Sequence, residues 1–337
     1  MRVILLEVSH WHVPLYLDAL ASEGVEVAAV SDRDGVLADR VARRFGARTY
    51  ASWRDLLADE RADFAFAFAR HCEMAAIGEA LIARKIPFVL EKPCGLSGSE
   101  VRKMSRQAKA CNLFVAVPLV QQFGPLAELL KEAGEHAGPC HAWFRFVAGV
   151  PSRYPAAGCA WMLDPDQSGG GCFINLSSHF LYLALRLLPR VTRISARMSN
   201  AVYRERVEDY ALVTLEGSDG STAVIETGYL FPSGTGRPRE VYYSLFGRNG
   251  CHVWWGERAG KAAHGQPWTE ANVNLDSDPL YARFVGETLA AFRSGGTPPV
   301  GLDSMVPVMD VIEAAYASAR TGQPVGVNIE GTGARGA

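Results

Sequence analysis

Two short stretches hold residues whose neighbours would aim them at a substrate. Glu91-Lys92-Pro93 directly follows the apolar run 86–90, and ligands of open α/β sheets sit at the carboxyl ends of strands. A lysine there faces the crevice, and Pro93 stiffens the chain that presents it. Its ammonium can hydrogen-bond a hydroxyl and stabilise developing alkoxide character. The second stretch is Ser168-Gly169-Gly170-Gly171 followed by Cys172-Phe173-Ile174-Asn175-Leu176-Ser177-Ser178-His179. Its glycines bring backbone close to something, a helix is expected just after them, and Asn175 and His179 stand i, i+4 as neighbours on that helix. An imidazole with a pKa near neutrality can take and return the proton of a secondary alcohol. Asn175 can orient that ring or bind a hydroxyl, but cannot act as acid or base. Taken singly each stretch has a plainer reading: a surface lysine in a loop, and a buried structural histidine.

A third constellation lies in the first strand-to-helix turn, Glu7-Val8-Ser9-His10-Trp11-His12. Backbone N–H groups and the positive end of a helix dipole meet there and favour phosphate. The turn lacks the glycines of a G-x-G-x-x-G fingerprint, which let a dinucleotide's pyrophosphate approach closely. The N–H groups and the Ser9 hydroxyl are expected to remain available, so that Val8, Ser9, His10 and Trp11 contact the phosphates; the plainer reading is a turn that binds nothing. The second strand ends Val30-Ser31-Asp32-Arg33. An acid in that place is set to accept from the adenosine ribose hydroxyls and to repel a 2′-phosphate, which favours NAD. Arg33 offers a partner for adenine or for that phosphate, so NADP stays open, and Asp32 has the alternative of capping the next helix. His10 and His12, two residues apart, share no helix face, and no metal site is expected.

The elements that must position these groups follow from periodicity. Up to about residue 118, apolar runs at 3–7, 25–31, 63–69, 86–91 and 113–117 alternate with helical stretches at 14–22, 36–45, 52–58, 73–84 and 97–110. That alternation is the βαβ signature of a parallel, Rossmann-type sheet. Ser97 with Glu100 forms a capping box at one helix start, and Ser52 with Asp55 a weaker acidic version at another. Beyond Pro118 the pattern changes: a helix at 123–133, a strand at 140–147 and a helix at 172–188. Strands follow at 191–199, 209–217, 222–229, 240–246 and 251–255, and helices at 279–294 and 302–321 close the chain. Strands in succession without helices between them predict a large, mostly antiparallel open sheet in an α+β domain. The expected division is 1–118 for dinucleotide, 119–330 for substrate and oligomerisation, and a flexible tail at 331–337.

Composition narrows the partners. The formal charge of −2 gives no electrostatic reason to expect nucleic acid or an anionic membrane. No apolar run approaches the ~20 residues needed to span a bilayer, and the first residues turn acidic too soon for a signal peptide. Seven cysteines, at 72, 94, 111, 140, 159, 172 and 251, are scattered without a CxxC pair. They read as reduced thiols of a cytoplasmic protein.

Assembled in order, these motifs resemble the Gfo/Idh/MocA oxidoreductase family, the group of glucose-fructose oxidoreductase and inositol dehydrogenase. Lesser marks are Phe45-Gly46 before Tyr50, Glu208-Asp209-Tyr210 opening a strand, and Ala314-Ala315-Tyr316 in the last helix. The resemblance implies NAD(P)-dependent oxidation or reduction of a carbinol in a sugar, cyclitol or similar small molecule. Lys92 matches the family's EKP lysine and His179 its catalytic histidine, while Asn175 stands where many members carry Asp. Departures cluster in one place. The segment after the fourth strand, usually A-T-P-N, reads Ala69-Arg70-His71-Cys72, which puts Ala69, Arg70 and His71 beside the nicotinamide with Glu91 and Lys92. A frequent basic residue after the sixth strand is replaced by Gln121-Gln122. Gln122, Tyr154 and Trp161 are the expected substrate contacts, the two aromatics having a plainer role in packing between domains. The resemblance further implies a homodimer or homotetramer. Two readings stand: an enzyme using Lys92 and His179, and a ligand-sensing or partner-binding protein that kept the fold and lost turnover.

Overall fold

A computed structural model describes residues 1–134 and 139–332. In chain order it opens with β1 (Arg2–Leu6), α1 (Val13–Ser22), β2 (Glu26–Ser31), α2 (Gly35–Phe45), β3 (Arg48–Tyr50) and α3 (Trp53–Asp59). Then come β4 (Phe64–Ala67), α4 (His71–Ala83), β5 (Phe88–Leu90), α5 (Gly98–Ala110) and β6 (Val115–Ala116). Next are α6 (Pro125–Gly134), β7 (Cys140–Gly149), α7 (Arg153–Ala156), α8 (Pro165–Ser168), α9 (Cys172–Leu176) and α10 (Ser178–Leu187). Strands β8 (Arg190–Ser199), β9 (Tyr210–Gly217), β10 (Thr222–Phe231), β11 (Arg239–Gly247), β12 (Gly250–Trp255), β13 (Arg258–Ala263) and β14 (Thr269–Asn272) follow. Helices α11 (Leu280–Arg293) and α12 (Met305–Thr321) precede β15 (Val325–Glu330).

The chain forms two compact units that interleave in sequence. One comprises Met1–Pro118, Tyr154–Gly169 and Asp278–Val306; the other comprises Leu119–Arg153, Gly170–Ser277 and Pro307–Ala337. The first unit thus extends beyond the continuous stretch 1–118 expected from the sequence, with Tyr154–Gly169 and Asp278–Val306 joining it. The tail expected to be flexible from 331 lies outside the described residues from 333 onward.

In the first unit six parallel strands run in the order β3-β2-β1-β4-β5-β6. Val3–Leu6 and Phe64–Ala67 are wholly buried, as strands covered by helices on both faces must be. Strand order reverses between β1 and β4, and the carboxyl ends of those two strands define the crevice of such a sheet. The helices begin where local chemistry dictates. Asp34 caps α2 by accepting from Leu37 N–H at 3.1 Å, and Ser97 with Glu100 completes the capping box of α5. Gly46, at φ 65°, ends α2 in the left-handed conformation glycine adopts without strain.

In the second unit nine strands run β14-β13-β12-β11-β7-β10-β9-β8-β15. Only the β7–β10 pair is parallel among the pairings described, so the sheet is mixed but mostly antiparallel. Helices α9 and α10 pack on β7 and β10, where Phe144, Phe180 and Tyr243 bring their rings within 5.5–6.1 Å of one another. The helix expected at 172–188 is two helices, α9 and α10, meeting at Ser177. Strands β3, β13, β14 and β15 were not foreseen. Strand β13, Arg-Ala-Gly-Lys-Ala-Ala, has weak intrinsic strand preference. It is held as the return arm of a hairpin with β12, and Trp268 lies over Gly260 so closely that a Cβ there would come within 1.9 Å of its ring.

Candidate active site

The crevice of the first unit is built from the ends of β1, β2, β4 and β5. Just past β1, Glu7 turns the chain with φ 55°, a conformation natural to glycine and strained for a residue with a side chain. Its buried carboxylate accepts from Trp53 N–H at 3.1 Å and from the Ser31 hydroxyl at 3.3 Å. Burial, with repulsion from Asp32 and Glu73, pushes its pKa up to about 7.

The rest of the turn closes on itself. Val8 N–H donates to Ser31 O (3.2 Å), Val13 N–H to His10 O (3.1 Å), Ser9 N–H to Asp32 Oδ2 (2.6 Å) and His12 N–H to His10 Nδ1 (3.2 Å). Position 14 is proline and has no N–H. Of the amides expected to meet a pyrophosphate, those of Val8 and Ser9 are thus engaged within the unit. Asp32, expected to face a ribose, is fully buried and engaged by Ser9 N–H and by Asp34 N–H at 2.8 Å. It does not cap α2, which Asp34 does. Arg33 pairs with Glu73 and lies 3.9 Å from Glu7.

At the end of β5 the carboxylate of Glu91 is buried and held by three donors. Tyr16 O–H lies 2.7 Å away, His12 Nδ1 3.2 Å and Lys92 N–H 2.9 Å. The Tyr281 hydroxyl in turn stands 3.1 Å from His12 Nδ1. Lys92 is only 1% exposed and joins Pro93 through a cis bond. His10, His12 and Glu91 each bring a potential metal-ligand atom within 4.8 Å of the other two. The turn, rather than a helix face, achieves this convergence, which helical spacing does not predict. Tyr16 and Tyr281 were also missed, and a single tyrosine some 190 residues beyond Glu91 gives no sequence signal of proximity.

After β4, Ala69 is buried, Arg70 bonds Gln167, and His71 opens α4. His71 Nδ1 lies 2.7 Å from the Ser168 carbonyl oxygen. A carbonyl only accepts, so Nδ1 carries the proton and Nε2 is bare. In His10 the roles reverse: Nδ1 accepts from a backbone N–H, so the neutral ring carries its proton on Nε2. Burial drives the pKa of His71 down to about 4 and that of His10 well below its ordinary value. The two ring centroids are 6.1 Å apart, and Trp161 stands 5.7 Å from His10 and 5.0 Å from His71. Trp161 donates Nε1–H to Ser9 O at 3.0 Å, and the buried Tyr154 packs on Trp11 at 5.3 Å. Both aromatics, expected at the substrate, thus lie against the first turn. Among the described residues neither His10 Nε2 nor His71 Nε2 has a hydrogen-bond partner. Buried orphans of this kind are costly unless a ligand supplies the partner. Placed at the switch point of the sheet, they fit a dinucleotide held by side chains.

The second unit carries Asn175 on α9 and His179 in the first turn of α10. Asn175 is buried and donates Nδ2–H to the Tyr229 hydroxyl at 2.9 Å. What the glycines before them approach is the chain itself. A Cβ on Gly170 would lie 2.0 Å from the Tyr316 hydroxyl, and one on Gly171 2.2 Å from Glu208 O. Glu208 accepts from Phe173 N–H (3.0 Å) and Tyr316 O–H (2.8 Å), capping the start of α9. Gln122 bonds Arg186.

Comparison with known proteins agrees with this architecture. Residues 12–118 match the oxidoreductase family with an NAD-binding Rossmann fold, GFO/IDH/MocA, and residues 132–252 match the GFO/IDH/MocA C-terminal domain. The D-xylose 1-dehydrogenase (NADP(+)) 2 of Haloferax volcanii is 26% identical, covering 92% of this chain and 94% of that one. The D-apiose dehydrogenase of Rhizobium rhizogenes is 25% identical, covering 90% and 91%. A solved oxidoreductase from Agrobacterium radiobacter, in complex with NAD+, L-tartaric acid and magnesium, shares the fold with a TM-score of 0.84 at 21% identity, covering 97% and 98%. The chain belongs to the GFO/IDH/MocA family of oxidoreductases.

Proposed function

We propose that the chain is an NAD(P)-dependent dehydrogenase or reductase that acts on a secondary alcohol or ketone carbon of a sugar, cyclitol or similar small polar molecule. The observation that carries this reading is the buried Lys92 at the carboxyl end of β5, beside a Glu91 fixed by Tyr16 and His12. When bound, the dinucleotide supplies the hydride donor or acceptor. Lys92 holds the substrate oxygen and stabilises charge as it develops there, an interaction that strengthens toward the transition state. His179 takes or returns the hydroxyl proton, and Asn175, tied to Tyr229, fixes the wall from which it acts. Pentose and apiose dehydrogenases among the relatives support a sugar as substrate. The seven free cysteines support a reducing compartment, the cytoplasm, and no helix among the described residues is long and apolar enough to cross a membrane.

A polyol and aldose panel followed by NADH absorbance tests the reading. Once a substrate turns over, His179→Ala should lower turnover about 10²–10⁴-fold, and Lys92→Met should lower kcat more than it raises KM. Near-normal turnover in both variants would place the chemistry elsewhere. One observation favours a second reading, a ligand sensor on the same fold: two of the turn amides expected to grip a pyrophosphate, those of Val8 and Ser9, are engaged internally. A protein that neither binds NADH up to millimolar concentration nor oxidises anything on the panel would match it.

A further inference from the structure

Two features of the crevice remain unexplained by the roles above: a buried orphan donor on His10 and a buried orphan acceptor on His71. Their tautomers are fixed by different partners. His12 N–H occupies His10 Nδ1, and Ser168 O holds the proton of His71 Nδ1. His10 therefore offers Nε2–H, and His71 offers a bare Nε2. The rings stand 6.1 Å apart, His10 in the turn after β1 and His71 at the start of α4 just past β4, the two strands that flank the switch point. A phosphate oxygen only accepts and cannot satisfy His71. A hydroxyl both donates and accepts, and a vicinal diol can serve both rings at once.

We propose that His10 and His71 form a donor–acceptor clamp for the hydroxyls of the nicotinamide-side ribose, replacing with side chains the grip that the glycine-free turn has lost. The assignment rests on the dinucleotide-dependent reading above. Both rings lie in the Rossmann unit, and the electrostatic neighbours of each are Glu91 and Lys92, at the reacting end of the crevice. In a sheet of this order the acid at the end of β2, Asp32, marks the adenosine side. Trp161 packs against both imidazoles and is tied to Ser9 O, and both Nε2 atoms are buried, so the groups over them must shift as a ligand enters. Burial keeps both histidines neutral, which preserves the donor–acceptor pairing.

Calorimetric titration of the full chain with NADH, ADP-ribose and ADP tests the clamp. His10→Asn and His71→Asn keep an amide able to reproduce each ring's Nδ1 bond while deleting the Nε2 position. Each should weaken NADH and ADP-ribose, which carry the second ribose, roughly 5- to 50-fold, and leave ADP within about 2-fold. His10→Gln, which restores a donor near the Nε2 position, should recover part of the loss. Thermal unfolding of each variant separates a folding defect from a binding one. Failure of the wild type to bind NADH would overturn the dinucleotide reading itself. Wild-type binding left unchanged by both Asn variants would overturn the clamp alone, as would equal weakening of ADP. Unchanged NADH affinity with a raised KM for a sugar would assign the pair to substrate. Stoichiometric divalent metal lost in His10→Asn would assign the ring to a metal.

Discussion

Glu7 occupies a left-handed position directly after β1, buried between Ser31 and Trp53 with Asp32 and Glu73 nearby. Its folded pKa of about 7 lies above its ordinary 4.5, so the unfolded chain gives up this proton first. Stability therefore falls as pH rises from about 4.5 to about 7 and stays lower above that, by at most roughly 3 kcal/mol. His71 works the other way. Its folded pKa of about 4 lies below 6.5, so its contribution is lost as pH falls through that window. The two slopes oppose each other in the wild type. Glu7→Gln keeps an acceptor for Trp53 N–H and removes the charge, so urea denaturation should show it more stable at pH 8 by about 1–3 kcal/mol. Its stability should climb between pH 4 and 6.5, where the wild-type curve is flatter. A variant no more stable than wild type at pH 8 would contradict this account. At this scale sequence reading reaches Lys92 and His179 through their motifs. It does not reach the tautomers of His10 and His71, because Ser168, which fixes one of them, lies 97 residues from its partner.

The glycines before α9 show how elements are fitted together. Sequence reasoning saw that three glycines must let backbone approach something, and the neighbour proves to be Glu208 and Tyr316. Overpacking of this sort costs typically 1–3 kcal/mol, and backbone against backbone leaves little room to relax. Gly171→Ala should therefore destabilise the protein by about 2 kcal/mol or more and shift the start of α9 with Asn175. Gly158→Ala, at φ 78° with open space around it, should cost only about 1 kcal/mol. Equal midpoints for the two variants in thermal melts would contradict the close-approach argument. Helices α3 and α5 were legible because their caps are local, Ser52 and Ser97 each acting within three residues; α2 was legible by periodicity, although its cap is Asp34 and not Asp32. Strands β13–β15 were not, because pairing with β12 and β8 organises them more than their own composition does.

At the scale of the second unit, α9 and α10 pack on one face of the nine-stranded sheet, and strand alternation turns Trp143 and Phe246 to the other. Register places Trp143 opposite Ser244 and Phe246 opposite His141. Trp143 is 42% exposed and Phe246 46%. An apolar strip of that kind marks an association surface, and we propose that two or four copies meet there. Light scattering at micromolar concentration should give a dimer or tetramer, and Trp143→Glu with Phe246→Glu should shift it to monomer. A monomeric wild type would overturn the proposal. The central claim, dinucleotide binding in a crevice without fingerprint glycines, is tested most directly by calorimetric titration of the wild-type protein with NADH and NADPH. Glu7, Asp32 and Glu73 crowd the end of β2 with negative charge against the single Arg33. Saturable binding of both is expected, with NADH the tighter. Absence of heat from either up to millimolar cofactor would contradict it.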